Sequence, residues 1–314
     1  MKICVIGGGS MGANHIRTLK SLGHEVVVVE PSVARHSNLQ SLFGVKTYAD
    51  LVETKEGSID AYIIATPTTT HFSIAKWILE NNKKPILIEK PICTTVQEAE
   101  EIKRLATDTL VMVGHVEHYN SIVHYTKQFI ESSKVKLIKT QRLGFNNRIK
   151  DSGVVSDLAI HDLGVVRYLI GSKITEVFSN NLVNPDTGHE TYGSLSYRFE
   201  NGTIGTTEVS WIHPERIRKI EIVMEDSSSN QLYVIADYLT QTLTSNMTDY
   251  NGLARVSQQN TLKPQESLKL ELEDFINAIQ NNTTPRVTID DGIEALRVVE
   301  VSYESHKTGK VVKI

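Results

Sequence analysis

Two cysteines in 314 residues, Cys4 and Cys93, are too few for a disulfide scaffold. One falls within an apolar run and the other follows one, so both read as buried free thiols of a cytoplasmic protein. An excess of one charge is missing too. Lys and Arg number 33 against 37 Asp and Glu, a formal net charge of −4, and no stretch is strongly basic. Phosphate backbones need clustered Lys and Arg, so nucleic acid is excluded as the main partner. No apolar run approaches the ~20 residues of a membrane span, which excludes a membrane helix. No signal-like segment precedes the first apolar run. The sequon at Asn201-Gly202-Thr203 carries no meaning without secretion. Repeats and low-complexity linkers are absent.

What is present is a soluble composition, 40% hydrophobic and 22% charged, in a chain long enough for two domains. The first ~115 residues alternate buried strands with helices, the pattern of a doubly wound parallel sheet. Strands are expected at "KICVI", "HEVVVVE", "VKTYA", "DAYIIAT", "PILIEK" and "LVMVGH". Helices are expected at "VARHSNLQSLF", "HFSIAKWILENN" and "VQEAEEIKRLA". Further on, long alternating segments with turn signals at "FENGTIG" and "MEDSSSNQ" predict a large, mostly antiparallel open sheet. The helix "SDLAIHDLGVVRYLIG" precedes it, and two helices close the chain. The fold class is therefore α/β: a Rossmann domain over 1–118, then an α+β domain over 119–314 for substrate and oligomerisation. The closing helices are expected to pack back on the first domain.

Gly7, Gly9 and Gly12 fit G-x-G-x-x-G between the first strand and a helical pattern at Ile16, Leu19 and Leu22. Gly7 permits the sharp turn, Gly9 lets backbone approach a pyrophosphate, and Gly12 lets helix pack on strand. Ser10 and Met11 complete the loop at a helix N-terminus, which favours anions. A plain strand–helix turn has the same local look. Glu30, 18 residues after Gly12, ends the second strand, where a carboxylate accepts ribose hydroxyls and repels a 2′-phosphate. NAD is thus the expected cofactor, with NADP disfavoured; the alternative is a solvated strand-end residue.

"ATPTTTH" follows the fourth strand, placing Thr66, Pro67 and His71 at the ligand crevice, with helix capping as the alternative. "IEKP" ends the fifth, placing Glu89 and Lys90 there; the alternative is an ordinary exposed lysine. Asp157 and His161, four apart on one helix, share a face, so the carboxylate can fix the imidazole tautomer. Asp162 keeps a surface pair open as the alternative. "HVEHYN" contains H-x-E, but the P-C-x-x-C of a zinc deaminase is missing. His115, Glu117 and His118 on an extended segment would alternate faces, so no metal is expected.

Together "GGGSMG", "ATPTTTH", "EKP", Asp157-x-x-x-His161 and the closing "SYESHKTGKVVKI" resemble the Gfo/Idh/MocA oxidoreductases over the whole chain. The resemblance implies hydride transfer between a nicotinamide and a sugar hydroxyl or ketone. It implies proton transfer by Lys90 and His161 with Asp157 nearby, and a homodimer or homotetramer through the open sheet. "MVGHVEHYN", "DSGVVSDLAIHDLG" and "SWIHPERIRKIEIV" are similar to the sugar-nucleotide branch that oxidises the 3-hydroxyl of UDP-N-acetylglucosamine. His118 and Tyr119 stand where that branch has Arg-Phe, Ser121 where it has Pro, and Gly164 where an Asp is common. Substrate contacts are expected from His118, Tyr119 and the cationic segment "RLGFNNRIKDSG", with Arg142, Asn146, Asn147, Arg148 and Lys150. Arginine forks suit a diphosphate; a solvated loop is the alternative. A free-sugar or inositol dehydrogenase is a second reading. A non-catalytic dinucleotide-binding regulator is a third, disfavoured because it needs neither Lys90 nor His161.

Overall fold

A computed structural model describes residues 1–56, 58–131, 133–146, 152–227, 230–248 and 254–314. The chain divides into two compact units, one of residues 1–116 and 266–293, the other of 117–265 and 294–314.

The first unit is built on six parallel strands: β1 (Lys2–Ile6), β2 (Glu25–Val29), β3 (Lys46–Tyr48), β4 (Ala61–Ile64), β5 (Ile86–Glu89) and β6 (Val111–Gly114). Their order is β3-β2-β1-β4-β5-β6. Ile3, Cys4, Val5 and Ile6 are all buried because β1 is paired on both edges and covered on both faces. That double burial is why the strand reads as an unbroken apolar run. Each such side chain contributes about 1.5–3 kcal/mol by leaving water. Helices α1 (Ser10–Ser21), α2 (Val33–Phe43), α3 (His71–Asn81) and α4 (Val96–Leu105) make the crossovers. The α4 N-terminus is fixed by a capping box: Thr95 Oγ1 accepts from the Glu98 N–H, and Glu98 Oε2 accepts from the Thr95 N–H, both at 3.2 Å. The chain winds from β1 out to β3 and then returns to β4 on the other edge of β1. That reversal opens a crevice at the carboxyl ends of β1 and β4.

The second unit holds α5 (Ser121–Ile130), β7 (Lys134–Phe145), α6 (Ile160–Ile170), β8 (Ile174–Val183), β9 (Glu190–Phe199), β10 (Ile204–Ser210), β11 (Ile212–Glu225), β12 (Gln231–Asp237), β13 (Thr242–Thr248) and β14 (Ala254–Thr261). Helix α7 (Ser267–Asn281) belongs to the first unit, α8 (Ile289–Thr308) contributes its first turn there and its remainder to the second, and β15 (Val312–Lys313) ends the chain. The nine-stranded sheet runs β14-β13-β12-β11-β7-β10-β9-β8-β15. Its pairs are antiparallel except β7 with β10, so it is the mostly antiparallel sheet expected. One face is covered by α5 and α6, with Ile138, Val209, Ile220 and Ile222 packed against Val123, Leu163 and Val166. Among the described residues no helix is long and apolar enough to cross a membrane.

The helix expected over "SDLAIHDLGVVRYLIG" begins differently. Val155–Ala159 form a π-helical turn that runs into α6. The cause is the Glu190 carboxylate, which accepts from the Val155 N–H at 3.1 Å and from the Tyr303 hydroxyl at 2.7 Å. Gly153 makes room for it; a Cβ there would stand 2.1 Å from that carboxyl. Such π turns in helices are frequent at functional sites.

Candidate active site

Within the first unit, the glycine loop joins β1 to α1. Gly7 has φ +98°, and a Cβ on it would meet the Ala65 carbonyl oxygen after β4 at 2.6 Å. A Cβ on Gly12 would stand 1.9 Å from the Gly7 carbonyl oxygen. Gly9 faces open space, and it caps α1 with no side-chain partner for the first helical N–H groups. Those are the donors an anion takes up at a helix N-terminus.

Glu30 is buried at the end of β2 and aimed at this loop. Its carboxylate accepts from the Gly8 N–H at 2.9 Å and the Ser32 N–H at 3.0 Å, and Arg35 stands 3.8 Å away. Two backbone donors fix the carboxylate beside the glycine loop rather than leave it solvated. The cradle, the uncapped helix end and this carboxylate together fit a dinucleotide.

At the ends of β4 and β5 the expectations divide. Thr66 is half-buried, its Oγ1 accepting from Thr70 at 2.7 Å, and Pro67 starts a short 3₁₀ turn over Thr68–Thr70. His71, expected at the cofactor, is instead a buried brace. Its Nδ1 lies 2.9 Å from the Pro91 carbonyl and its Nε2 2.9 Å from the Thr66 carbonyl, so both ring nitrogens serve the backbone. It ties the loop after β4 to the cis Lys90–Pro91 bend after β5.

Glu89 accepts from His15 Nε2 at 2.7 Å and from the Lys90 N–H at 3.3 Å, so it positions the backbone that carries Lys90. Lys90 itself is half-buried. Sequence reasoning missed His15 on α1 and Glu271 on α7. Glu271 is 0% exposed, and burial first, then the Glu89 and Asp274 charges, push its carboxyl well above the usual range. Both residues sit on an otherwise apolar helix stripe, with Gly12, Ile16 and Leu19 in one case and Leu268, Leu272 and Phe275 in the other. A polar residue on such a stripe was the available signal.

Within the second unit, Asp157 lies in the π turn and His161 in the first turn of α6, both half-buried. Arg142 departs from expectation. It lies inside β7, not in a loop, and is 6% exposed. Its Nε and Nη2 donate to Asp162 Oδ1 at 3.0 and 2.8 Å, and Nη1 donates to Glu117 Oε1 at 2.8 Å. Burial opposes this charge, but the Asp162 and Glu117 carboxylates outweigh it and hold the guanidinium above the ordinary arginine range. Three of the five N–H groups of this fork are committed to two carboxylates, and the side chain is buried. His118 and Tyr119, expected at the substrate, are each 2% exposed, and the His118 ring packs 5.3 Å from Tyr168. They are interior residues of a short 3₁₀ turn. Asn146 follows β7 at its open end and is half-buried. Asn147, Arg148 and Lys150 lie outside the described residues.

A glycine cradle with an anchored carboxylate fits a dinucleotide-binding domain, and comparison with known proteins supplies the class. Residues 1–117 match the oxidoreductase family's NAD-binding Rossmann fold, and residues 139–314 match its C-terminal alpha/beta domain. The chain belongs to the Gfo/Idh/MocA family of NAD-binding oxidoreductases and is an enzyme of that class. It is 25% identical over 311 residues to UDP-N-acetylglucosamine 3-dehydrogenase of Acidithiobacillus ferrooxidans, covering 97% of this chain and 96% of that one. It is 27% identical over 336 residues to scyllo-inositol 2-dehydrogenase (NAD(+)) of Bacillus subtilis, covering 100% and 96%. A crystal structure of the Acidithiobacillus enzyme has the same fold, with a TM-score of 0.86 at 23% identity over 98% of each chain.

Proposed function

We propose that this protein is an NAD-dependent dehydrogenase of a sugar nucleotide, with the 3-hydroxyl of UDP-N-acetylglucosamine as the leading substrate. The single observation that carries the substrate is the near-complete two-way coverage of an Acidithiobacillus ferrooxidans relative bearing that activity in its name. The choice of NAD over NADP rests on Glu30, whose carboxylate is held by Gly8 and Ser32 beside the cradle. A 2′-phosphate there would face a buried negative charge.

When bound, the nicotinamide supplies the hydride acceptor at its C4. The chain supplies the rest. Ser10, Met11 and Gly12 at the uncapped start of α1 offer backbone N–H groups to the pyrophosphate, Gly9 gives it room, and Gly7, whose own N–H donates to the Val29 carbonyl at 2.8 Å, makes the turn. Thr66 and Pro67 border the cradle, and Glu89 sets the backbone of Lys90. The family resemblance assigns proton removal from the substrate hydroxyl to His161, with Asp157 fixing its tautomer. It assigns stabilisation of the developing oxyanion to the Lys90 ammonium. In reverse the same groups protonate a ketone.

The buried thiols Cys4 and Cys93 support a cytoplasmic location. Exposed Phe178, Leu182 and Ile204 on the strands of the nine-stranded sheet support a homodimer or homotetramer through it. A second reading, oxidation of an inositol, is favoured by the full-length scyllo-inositol 2-dehydrogenase relative.

Thermal unfolding with NAD separates the two. A ligand that binds only the folded state adds about 2.7 kcal/mol at 100 times its dissociation constant. UDP-N-acetylglucosamine is expected to raise the melting temperature, and inositols to leave it unchanged. The opposite pattern removes the nucleotide and keeps the sugar dehydrogenase.

A further inference from the structure

The second unit contains a pocket of ≈ 530 Å³ lined by Gly144, Phe145, Asn146, Leu158, Ser210, Trp211, Arg216 and Arg218. Its volume falls within the range of small-molecule sites. Leu158 follows Asp157 in the π turn and precedes His161 by three residues, so the pocket borders the segment to which proton transfer is assigned.

The strands explain why two arginines reach this place. β11 pairs with β7 through Ile212↔Phe145 and next through Ile217↔Leu143, so four residues, His213 to Arg216, stand opposite Gly144 alone. This break lifts the segment out of the ladder, and the His213 ring folds it back, Nδ1 lying 2.9 Å from the Glu215 carbonyl oxygen and 3.2 Å from the Glu215 nitrogen. Bulges of this kind re-aim side chains beside functional sites. Here the bulge leaves Arg216 exposed at the pocket. Arg218 sits directly across from Arg142 in register. Like charges in that relation repel, and Arg142 is tolerated because Asp162 and Glu117 neutralise it.

Arg218 is positioned differently. Its Nη1 donates to the Leu143 carbonyl at 2.6 Å and the Ile217 carbonyl at 2.8 Å. Main-chain carbonyls hold the fork in place, and the Asp162 and Glu117 carboxylates that favour its charge are already paired with Arg142. Among the described residues neither Arg216 nor Arg218 has a carboxylate partner. Burial and then the Arg142 charge, helped by Arg216, outweigh the Asp162 and Glu117 carboxylates and push the Arg218 guanidinium down to about 10, still charged at neutral pH. Accumulated positive charge of this kind is relieved by an anion. Phe145, 71% exposed, adds a ring face at the same opening.

We propose that Arg216 and Arg218 form the phosphate-binding subsite of the substrate pocket, taking the diphosphate of a nucleoside diphosphate ester, with Phe145 against an attached ring. The inference rests on the sugar-nucleotide reading and deepens it by naming the residues that make the choice. It also replaces Arg142, whose charge is already matched by Asp162 and Glu117.

Calorimetric titration of the full chain saturated with NAD tests it. UDP is expected to bind, inorganic pyrophosphate to compete with it, and uridine not to bind. Arg216→Gln and Arg218→Lys are each expected to weaken UDP about 10- to 100-fold, the scale of one lost charge-assisted hydrogen-bonded contact. NADH affinity should stay unchanged in both variants, and the melting temperature of unliganded Arg216→Gln should match wild type. Because Arg216 is exposed, its variant controls for misfolding. UDP affinity equal in wild type and in both variants overturns the subsite while leaving the sugar-nucleotide reading intact. Failure of wild-type protein to bind UDP, with an inositol oxidised, overturns that reading and the subsite together.

Discussion

The two units carry their chemistry in opposite ways. In the first, the candidate residues lie at the carboxyl ends of adjacent parallel strands, and each sits within a few residues of its strand: Gly7 after β1, Glu30 after β2, Thr66 after β4, Lys90 after β5. In the second, Arg142 comes from β7, Arg216 and Arg218 from β11, Asp162 from α6 and Glu117 from a short 3₁₀ turn; antiparallel register sets Arg218 across from Arg142, and the packed helix and turn bring the two carboxylates. Parallel topology writes a site as short motifs. Antiparallel topology writes it as pairings that no short window contains.

The sharpest way to break this comparison is catalytic. Lys90→Ala and His161→Ala should each lower turnover by roughly 10²- to 10⁴-fold, the scale of general acid–base contributions, while NADH titration stays near wild type. Turnover of the His161 variant close to wild type would reduce the Asp157–His161 segment to a structural role. Asp157→Asn should do less harm, since orienting is its assigned task.

A buried ion pair offers the next largest effect. Arg142→Met leaves the Asp162 and Glu117 carboxylates without their cation, and breaking such a pair costs about 3–5 kcal/mol. Denaturant unfolding measures it. Arg142→Met combined with Asp162→Leu should recover much of the loss; a double variant no more stable than the single one would show that the Glu117 charge dominates.

Cofactor preference comes third. NADH should bind at least tenfold more tightly than NADPH, about 1.4 kcal/mol, and Glu30→Gln should narrow the gap. Equal affinities in wild type would remove Glu30 from the cradle's function.

The smallest effect concerns pH. The Glu271 carboxyl is raised in the folded state, so the native protein binds a proton that the unfolded chain has released. Its contribution to stability is fully present below the ordinary glutamate range and is lost as pH rises toward the folded value. Glu271→Gln should flatten that part of the stability–pH curve and be the more stable protein at its upper end. Parallel curves for the two proteins would show that Glu271 does not titrate there.

How much was legible follows from the same contrast. α2 over Val33–Phe43 and the short β3 were readable because apolar spacing and strand composition are local properties. Gly7 and Gly12 were visible as a motif because each answers a local steric demand, a backbone oxygen standing 2.6 and 1.9 Å from where a Cβ would be. The ATPTTTH motif shows where the His71 side chain starts and not which carbonyls it meets 5 and 20 residues away. Arg142 reads as part of a cationic loop because four further basic or amide residues, Asn146, Asn147, Arg148 and Lys150, follow it closely. Strand β7 continues past it to Phe145 only because β11 and β10 pair with it, and neither partner is visible from the segment itself. The π turn was hidden for a similar reason, since Glu190 lies 35 residues from the amide it caps.

One measurement bears most directly on the account. Wild-type protein given NAD+ and UDP-N-acetylglucosamine, with reduced nicotinamide followed by its absorbance, should form NADH together with the 3-keto sugar nucleotide in equal amounts. Scyllo-inositol in place of the nucleotide should form none. NADH formation from inositol, and none from any UDP-sugar, would contradict the account at its centre.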